Sequence, residues 1–461
     1  MDTPILDFVR NYAAANAVRM HMPGHKGKGA PEAAIDITEI AGADDLFHAS
    51  GIIGQSEQNA SKIFGCDTYY STEGSSLAIR AMLYLCRAAS KTEKPWILAA
   101  RNVHKTFVSA CVLLGLDAEW ITPGNDSLIS QNITDSDVAK ALADAAEKRG
   151  GLPCCVYLTS PDYTGHIQPV REIAKVCHAH GIPLLIDNAH GAYLKFLDQS
   201  LHPIDLGADM CCDSAHKTLP ALTGAAYLHV KSDLIPATKE DVKTALSLFA
   251  STSPSWLILQ SLDRLNPLLE TTFKDDLKST ADLVSSARKA LADGGFSLLG
   301  EEPLKITIST KEKGYTGDEF AQYLRENETP IEVEFSDPDQ IVLMVSPNNT
   351  KEEIETVTEA ILNIPQKDGF AAAAAASEET SVSSINRPPR ATLPERVMSM
   401  REAALSPWET VSIDEAKGRI AHLTDCSCPP AIPVVICGEK ITENEIALLR
   451  YYGYDSCRVV R

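Results

Sequence analysis

A chain of 461 residues that is 44% hydrophobic and 23% charged has an ordinary globular composition and enough length for two or three domains. Its formal net charge of -20, from 42 basic against 62 acidic residues, argues against nucleic acid or an anionic membrane as the main partner, since phosphate would be repelled. No apolar run approaches the roughly 18 residues of a membrane span, and the first ten residues carry acids where a signal peptide would be apolar.

In chain order, the pattern predicts an N-terminal helical arm over 1–20, with its helix at 5–18. A polar loop follows, His21-Met22-Pro23-Gly24-His25-Lys26-Gly27, and then a helix at 55–64. Thr72-Glu73-Gly74-Ser75-Ser76 opens an amphipathic helix over 77–89. Strands are expected at 96–100, 154–159, 182–186, 208–212 and 225–230, with helices at 106–114, 136–149 and 170–180 between them. Near-continuous apolar strands alternating with helices predict an α/β fold with a mostly parallel sheet covered on both faces. The large domain spans 21–265 and ends in a helical region, 241–265, interrupted by Ser251-Thr252-Ser253-Pro254-Ser255.

A small α+β domain is expected over 266–365, with helices at 273–292, 316–325 and 351–361 and strands at 304–309 and 341–345. Residues 366–392 hold six consecutive alanines, Ser/Thr-rich sequence and Arg387-Pro388-Pro389-Arg390, and read as a linker. A C-terminal α+β module, 393–461, has a helical start and a Pro-rich turn before an expected strand at 434–437. Twelve cysteines are scattered, several inside apolar runs, as expected of reduced thiols in a cytoplasmic protein. Cys426-Ser427-Cys428 lacks a second pair for zinc, although His422 and Cys437 lie near, so no metal site is expected.

The chemistry concentrates at two strand ends. The run 208–212 leads into Asp213-Ser214-Ala215-His216-Lys217-Thr218, and 182–186 ends in Asp187-Asn188-Ala189-His190-Gly191. A lysine after a buried strand must reach water or have a chemical use. Lys217 and Asp187 on one sheet are what pyridoxal 5'-phosphate needs: the lysine holds the aldehyde as a Schiff base, and the aspartate keeps the pyridine nitrogen protonated. His190 either supports that aspartate or the cofactor, or packs structurally. Gly74, Ser75 and Ser76 at a helix start form a candidate phosphate cradle, to which Ser214 and His216 would add donors. His104, after the strand ending at Ala100, stands either at a ligand crevice, where it would stack on the ring, or simply at a helix start.

Together these motifs resemble the ornithine/lysine/arginine decarboxylases among the fold-type I pyridoxal-phosphate enzymes, in the compact form without an N-terminal wing domain. The resemblance runs over nearly the whole chain: His-Met-Pro-Gly-His-Lys at 21–26, Asp-Ile-Thr-Glu-Ile at 36–40 with Asp44-Asp45-Leu46, the turn at 74–76, and His104-Lys105. It continues through Ser160-Pro161-Asp162-Tyr163-Thr164-Gly165, Asp187-x-Ala-His-Gly, Ser-Ala-His-Lys-Thr-Leu-Pro at 214–220 and Ser-Thr-Ser-Pro-Ser at 251–255. It implies a mostly parallel seven-stranded sheet, and an enzyme that releases CO2 from arginine, lysine or ornithine to give the amine. It also implies a cofactor bound through Lys217, Asp187 and a ring-stacking His104, with Ser75, Ser76, Ser214 and His216 around the phosphate. His216 or Lys217 would return the proton after CO2 leaves. A homodimer with shared sites is implied, Ser251–Ser255 reaching the partner's phosphate.

The chain departs from the family pattern in two places. Asn188 stands where the family often has Glu. Between Gly418-Arg419-Ile420 and Pro429-Pro430-Ala431-Ile432-Pro433, the glutamate that faces the basic end of the substrate is replaced by Leu423. Asp425 and Glu439 are the nearby carboxylates for that task. The alternatives are another pyridoxal-phosphate reaction (an aminotransferase or lyase) on a non-basic amino acid, or a catalytically idle regulatory homologue.

Overall fold

The computed structural model describes residues 1–122, 127–367, 388–423, 426 and 428–461. Most of the expected linker and Asp425 therefore lie outside the described residues. The chain begins with α1 (Pro4–Ala14), α2 (Ile52–Phe64), β1 (Asp67–Ser71), α3 (Gly74–Ala89), β2 (Trp96–Ala100), α4 (Lys105–Leu114) and β3 (Asp117–Ile121). Next come α5 (Asp135–Arg149), β4 (Cys155–Thr159), α6 (Val170–Ala179), β5 (Leu184–Asp187), α7 (Pro203–Leu206), β6 (Met210–Asp213), α8 (Ala215–Thr218) and β7 (Ala226–Val230). Helices α9 (Lys239–Ser247), α10 (Trp256–Thr271) and α11 (Phe273–Asp293) follow. The remainder is β8 (Leu298–Leu299), β9 (Lys305–Ser309), α12 (Gly317–Arg325), β10 (Phe335–Ser336), β11 (Gln340–Met344), α13 (Lys351–Leu362), α14 (Met400–Leu405), β12 (Trp408–Ser412), α15 (Glu443–Tyr451) and β13 (Ser456–Val460).

The chain divides into two compact units. The first comprises Met1–Ala99, Thr134–Ser160 and Pro169–Leu277; the second comprises Ala100–Ile133, Pro161–Gln168 and Lys278–Arg461. In the first unit six strands run in the order β1-β7-β6-β5-β4-β2. Strands β2, β4, β5 and β6 are parallel, which the apolar runs anticipate: β5 and β6 are buried at every residue, as a strand covered on both faces must be. The sheet is mixed at one side, because β7 pairs antiparallel with both β6 and β1. Strand β1, Asp-Thr-Tyr-Tyr-Ser, lacks the apolar run that marks the others and was not foreseen.

Buried polar groups hold this unit's N-terminal arm. Asp263 of α10 accepts the backbone N–H groups of Ile5 and Leu6, each at 2.9 Å, and the hydroxyl of Ser56 at 2.5 Å. These acceptances satisfy orphan donors at the start of α1. Burial nonetheless pushes the Asp263 carboxyl up to about 6. Lys243, also buried, pairs with Glu57 at 2.5 Å and donates to Leu46 O at 2.7 Å.

In the second unit an antiparallel sheet runs β10-β11-β9-β8, and β12 pairs antiparallel with β13. Helices α12 and α13 begin with reciprocal capping boxes, Thr316 with Glu319 and Thr350 with Glu353. Phe335 and Val342 of the four-stranded sheet share one core with Val434, Val435, Leu449 and Val459. The expected strand at 434–437 is not formed. Its apolar residues are buried as a strand's would be, but the neighbouring backbone is satisfied by side chains: Arg101 donates to Pro433 O and Val434 O, both at 2.9 Å, and Glu439 accepts Ile436 N–H at 2.7 Å. An apolar run of four reports burial, and here it lies in a loop.

Candidate active site

Strands β5 and β6 are parallel neighbours with Asp187 in register with Cys212, so the loops that leave them emerge side by side. Asp187 is 3% exposed and ends β5. Its Oδ2 accepts the Tyr157 hydroxyl at 3.2 Å; its Oδ1 accepts Ala189 N–H at 3.2 Å and the Cys212 thiol at 3.5 Å. Burial and the adjacent carboxylates raise the Cys212 pKa well above its usual value, so the sulfur keeps the proton it donates. These neutral donors leave Asp187 a buried acceptor at the strand's C-terminal end, where an α/β sheet presents its ligand crevice.

The turn after Asp187 is tight. Asn188 donates its backbone N–H to Cys212 O at 3.1 Å and its side-chain amide to Asp213 at 2.6 Å, tying β5's end to β6's. A Cβ on Gly191 would lie 2.0 Å from Asn188 Oδ1, so any larger residue there would push the Asn188 amide off Asp213. The turn carries His190, only 6% exposed, so that its Nε2 lies 2.8 Å from Lys217 Nζ. His190 therefore meets the lysine; the site pairs Lys217 with an imidazole and Asp187 with a phenol and a thiol.

Past β6, Ser214 donates to the Ser75 hydroxyl at 3.0 Å, joining the stretch before Lys217 to the start of α3. Gly74 opens α3 at φ +69, a left-handed conformation that costs a side-chain-bearing residue about 1–2 kcal/mol, and its missing Cβ faces open space. The result is a helix N-terminus with two hydroxyls and room beside it, which suits a dianion. His216 Nδ1 donates to Ala225 O at 2.9 Å, and burial lowers the ring's pKa, so the neutral tautomer presents its Nε2 lone pair. Ser251 N–H donates to Glu73 Oε1 at 2.7 Å, placing the second hydroxyl-rich stretch beside the head of α3, while Ser255 caps α10.

Other singled-out residues are placed as follows. His104, in the second unit, is the N-cap of α4: its Nδ1 accepts Thr106 N–H at 3.1 Å and meets the Thr106 hydroxyl at 2.9 Å. Glu439 is 1% exposed and ion-paired with Arg101 at 3.4 Å. Leu423 is 36% exposed. His422 and Cys426 are buried and Cys428 is exposed. Arg101, which sequence reasoning missed, anchors the loop after the Pro-rich turn; its 2% exposure and distant partners left no local signal. Among the described residues no helix is long and apolar enough to cross a membrane.

Comparison with known proteins gives a consistent picture. The major-domain model of the Orn/Lys/Arg decarboxylases matches residues 3–298, and the model of their C-terminal domain matches 385–455. An arginine decarboxylase of Halalkalibacterium halodurans is 34% identical, over 97% of this chain and 93% of its own. One from Bacillus subtilis is 31% identical over the same shares. Among solved structures, a Francisella novicida lysine decarboxylase superposes with a TM-score of 0.79 at 18% identity, covering 99% of this chain and 79% of that one. Lysine decarboxylase A from Pseudomonas aeruginosa also scores 0.79, at 19% identity, over 99% and 80%. At such identities these two show the shared fold-type I architecture.

Proposed function

Because the chain belongs to the Orn/Lys/Arg decarboxylase family, we propose that this amino-acid decarboxylase acts on a basic amino acid, arginine first, with pyridoxal 5'-phosphate as cofactor. The observation that carries the reading is that Asp187 ends β5 and Lys217 follows the end of its parallel neighbour β6, with His190, three residues after Asp187, placing its Nε2 2.8 Å from the lysine amine. The residues fit the cofactor on three counts. Asp187 is buried and accepts the neutral donors Tyr157, Ala189 and Cys212, Lys217 is half-buried beside an imidazole, and the open space at Gly74 leaves room for a phosphate at the head of α3.

Lys217 would hold the aldehyde, Asp187 the ring nitrogen, and Gly74, Ser75, Ser76 and Ser214 the phosphate; His104 would stack on the ring and His216 would line the site. When bound, the cofactor supplies the electron sink that takes up the pair left at Cα as CO2 departs. The chain's own residues do the rest. Asp187, held by Tyr157, Ala189 and Cys212, would face the ring nitrogen. Lys217, with His190 Nε2 2.8 Å from its Nζ, would share one proton with that imidazole and hold it for return to Cα. His216, fixed by Ala225 in the tautomer with Nε2 unprotonated, accepts hydrogen bonds at that atom.

For the substrate's cationic end, we place Asp425 in the role that Leu423 vacates, and give Glu439 the task of holding the loop through Arg101. A cytoplasmic homodimer with Ser251–Ser255 at the shared site completes the reading. The test is CO2 release from L-arginine, L-lysine, L-ornithine and non-basic amino acids, with amine identification. Release from arginine, lost in Lys217→Ala, is expected. CO2 from a non-basic amino acid alone would instead assign the Leu423 departure to a changed substrate, and keto-acid formation without CO2 would contradict decarboxylation.

A further inference from the structure

Behind the loops that carry Asp187 and Lys217 lies a cluster that the reaction does not use. His202, Cys211, Asp213 and His229 are all fully buried in the first unit, and each offers one ligand atom within 4.8 Å of all the others. The fold assembles them from three segments. Cys211 and Asp213 are two residues apart on β6, so their side chains share one face of the sheet. His229 on β7 is the direct cross-strand partner of Cys211. His202 enters from the turn before α7.

We propose that these four side chains form a structural site for a divalent transition metal, zinc being the ion that fits best. The donor set is the first reason: two imidazoles, a thiolate and a carboxylate are standard tetrahedral zinc ligands, and four protein donors with no access to water make a closed site. The spacing is the second. His202 Nε2 and His229 Nε2 lie 3.0 and 3.1 Å from Asp213 Oδ2, and Cys211 Sγ lies 3.9 Å from His202 Nε2. Zinc–ligand bonds of about 2.1 Å to N and O and about 2.3 Å to S, at tetrahedral angles, need separations of about 3.4 and 3.6 Å. These three separations need shifts of only a few tenths of an ångström, and with all four donors within 4.8 Å of one another the remaining pairs need to close by about an ångström at most to seat the ion.

Charge is the third reason. A thiolate, a carboxylate and a dication sum to zero with both imidazoles neutral, so the cluster places no net charge in a fully buried core. The outer partners are also in place. His229 directs its other ring nitrogen at the Thr68 hydroxyl, 3.0 Å away, and Asp213 Oδ1 accepts the Asn188 amide at 2.6 Å. Such contacts orient ligands in metal sites. Hydrogen bonding alone accounts for the cluster less well, because it converges both Nε2 atoms on one carboxylate oxygen, gives the thiol a single long contact of 3.9 Å with His202 Nε2 and leaves His202 Nδ1 buried with no partner. The ion enters as the chain folds. It ties β6, β7 and the His202 turn together beneath Ser214 and Asn188, and its presence does not depend on the substrate.

The holoenzyme, produced without a polyhistidine tag in zinc-supplemented medium and dialysed against metal-free buffer, tests this by elemental analysis and zinc-edge X-ray absorption. One zinc per chain is expected, with one sulfur and three nitrogen or oxygen neighbours. Cys211→Ala and His229→Gln should each lower the content several-fold, while Cys428→Ala, at an exposed thiol, should leave it unchanged. A second measurement needs no variant: wild-type protein refolded with zinc should melt higher than protein refolded with EDTA. Less than a tenth of an equivalent of metal after refolding in excess zinc, with identical melting in the two arms, overturns the proposal. So does bound zinc with no sulfur neighbour.

Discussion

Replacing Arg101 by Met should loosen the loop that follows the Pro-rich turn far more than a surface arginine would. The guanidinium, 2% exposed, donates to two carbonyls at 2.9 Å and faces Glu439 at 3.4 Å. Hydrogen bonds to charged groups contribute about 1.5–3 kcal/mol each, and stripping one partner from a buried pair costs about 3–5 kcal/mol. These overlap, so a local loss of about 4–6 kcal/mol is expected, close to the whole stability of many domains. The loss depends on pH in a definite direction. Burial already raises the Glu439 pKa, and the Arg101 charge opposes that rise. Without the arginine the folded-state pKa climbs further above the unfolded one. The protonated form then favours folding, and stability falls as pH rises from the unfolded value through the raised one. Hydrogen exchange of peptides covering 429–440 reads this locally. Arg101→Met should lose roughly three orders of magnitude of protection, at about 1.4 kcal/mol per tenfold, more at high pH than at low. Adding Glu439→Gln should restore part of it and remove the pH dependence. Protection reduced less than tenfold, or no coupling between the two substitutions, would refute the ion-pair account.

Other outcomes follow from the same geometry. His190→Ala should retain the cofactor but lower kcat by about 10- to 100-fold, because Lys217 loses its proton partner; single-turnover kinetics would check it, and an unchanged rate would remove His190 from the proton path. Gly74→Ala should weaken cofactor binding by about tenfold, through roughly 1–2 kcal/mol of left-handed backbone strain, measured by titrating the apoprotein. Asp263 carries a carboxyl raised to about 6 from 3.8, so its protonated form stabilises the fold fully below 3.8, and that contribution is lost as pH rises to about 6. Asp263→Asn should therefore gain on the wild type by up to about 3 kcal/mol between pH 4 and pH 7, seen in denaturant midpoints; a pH-independent difference would contradict the burial argument.

Much of the site was readable because its signals are local. An apolar run ending in Asp187, and another leading to His216-Lys217, each mark a strand end within a few residues, and parallel β5 and β6 bring them together. What was not readable depends on pairing. The His190–Lys217 contact joins two loops, and Arg101 finds its carbonyl partners more than 300 residues away. The Cys211, Asp213 and His229 cluster exists only through the β6–β7 register, so cysteine spacing, which led to the expectation of no metal site, could not show it. The buried run at 434–437 carries the composition of a strand, but side chains supply its hydrogen bonds. Strand β1 escaped notice for the opposite reason, since Asp67 and Thr68 break its apolar pattern while β7 supplies its ladder.

The central claim is that Lys217 carries the cofactor of this decarboxylase. Reduction of the holoenzyme with borohydride, followed by proteolysis and mass spectrometry, tests it most directly. The account predicts one reduced pyridoxyl group per chain, on the peptide containing Lys217, with none in Lys217→Ala. A protein that takes up no pyridoxal phosphate on reconstitution, or a label fixed on another lysine, would contradict it.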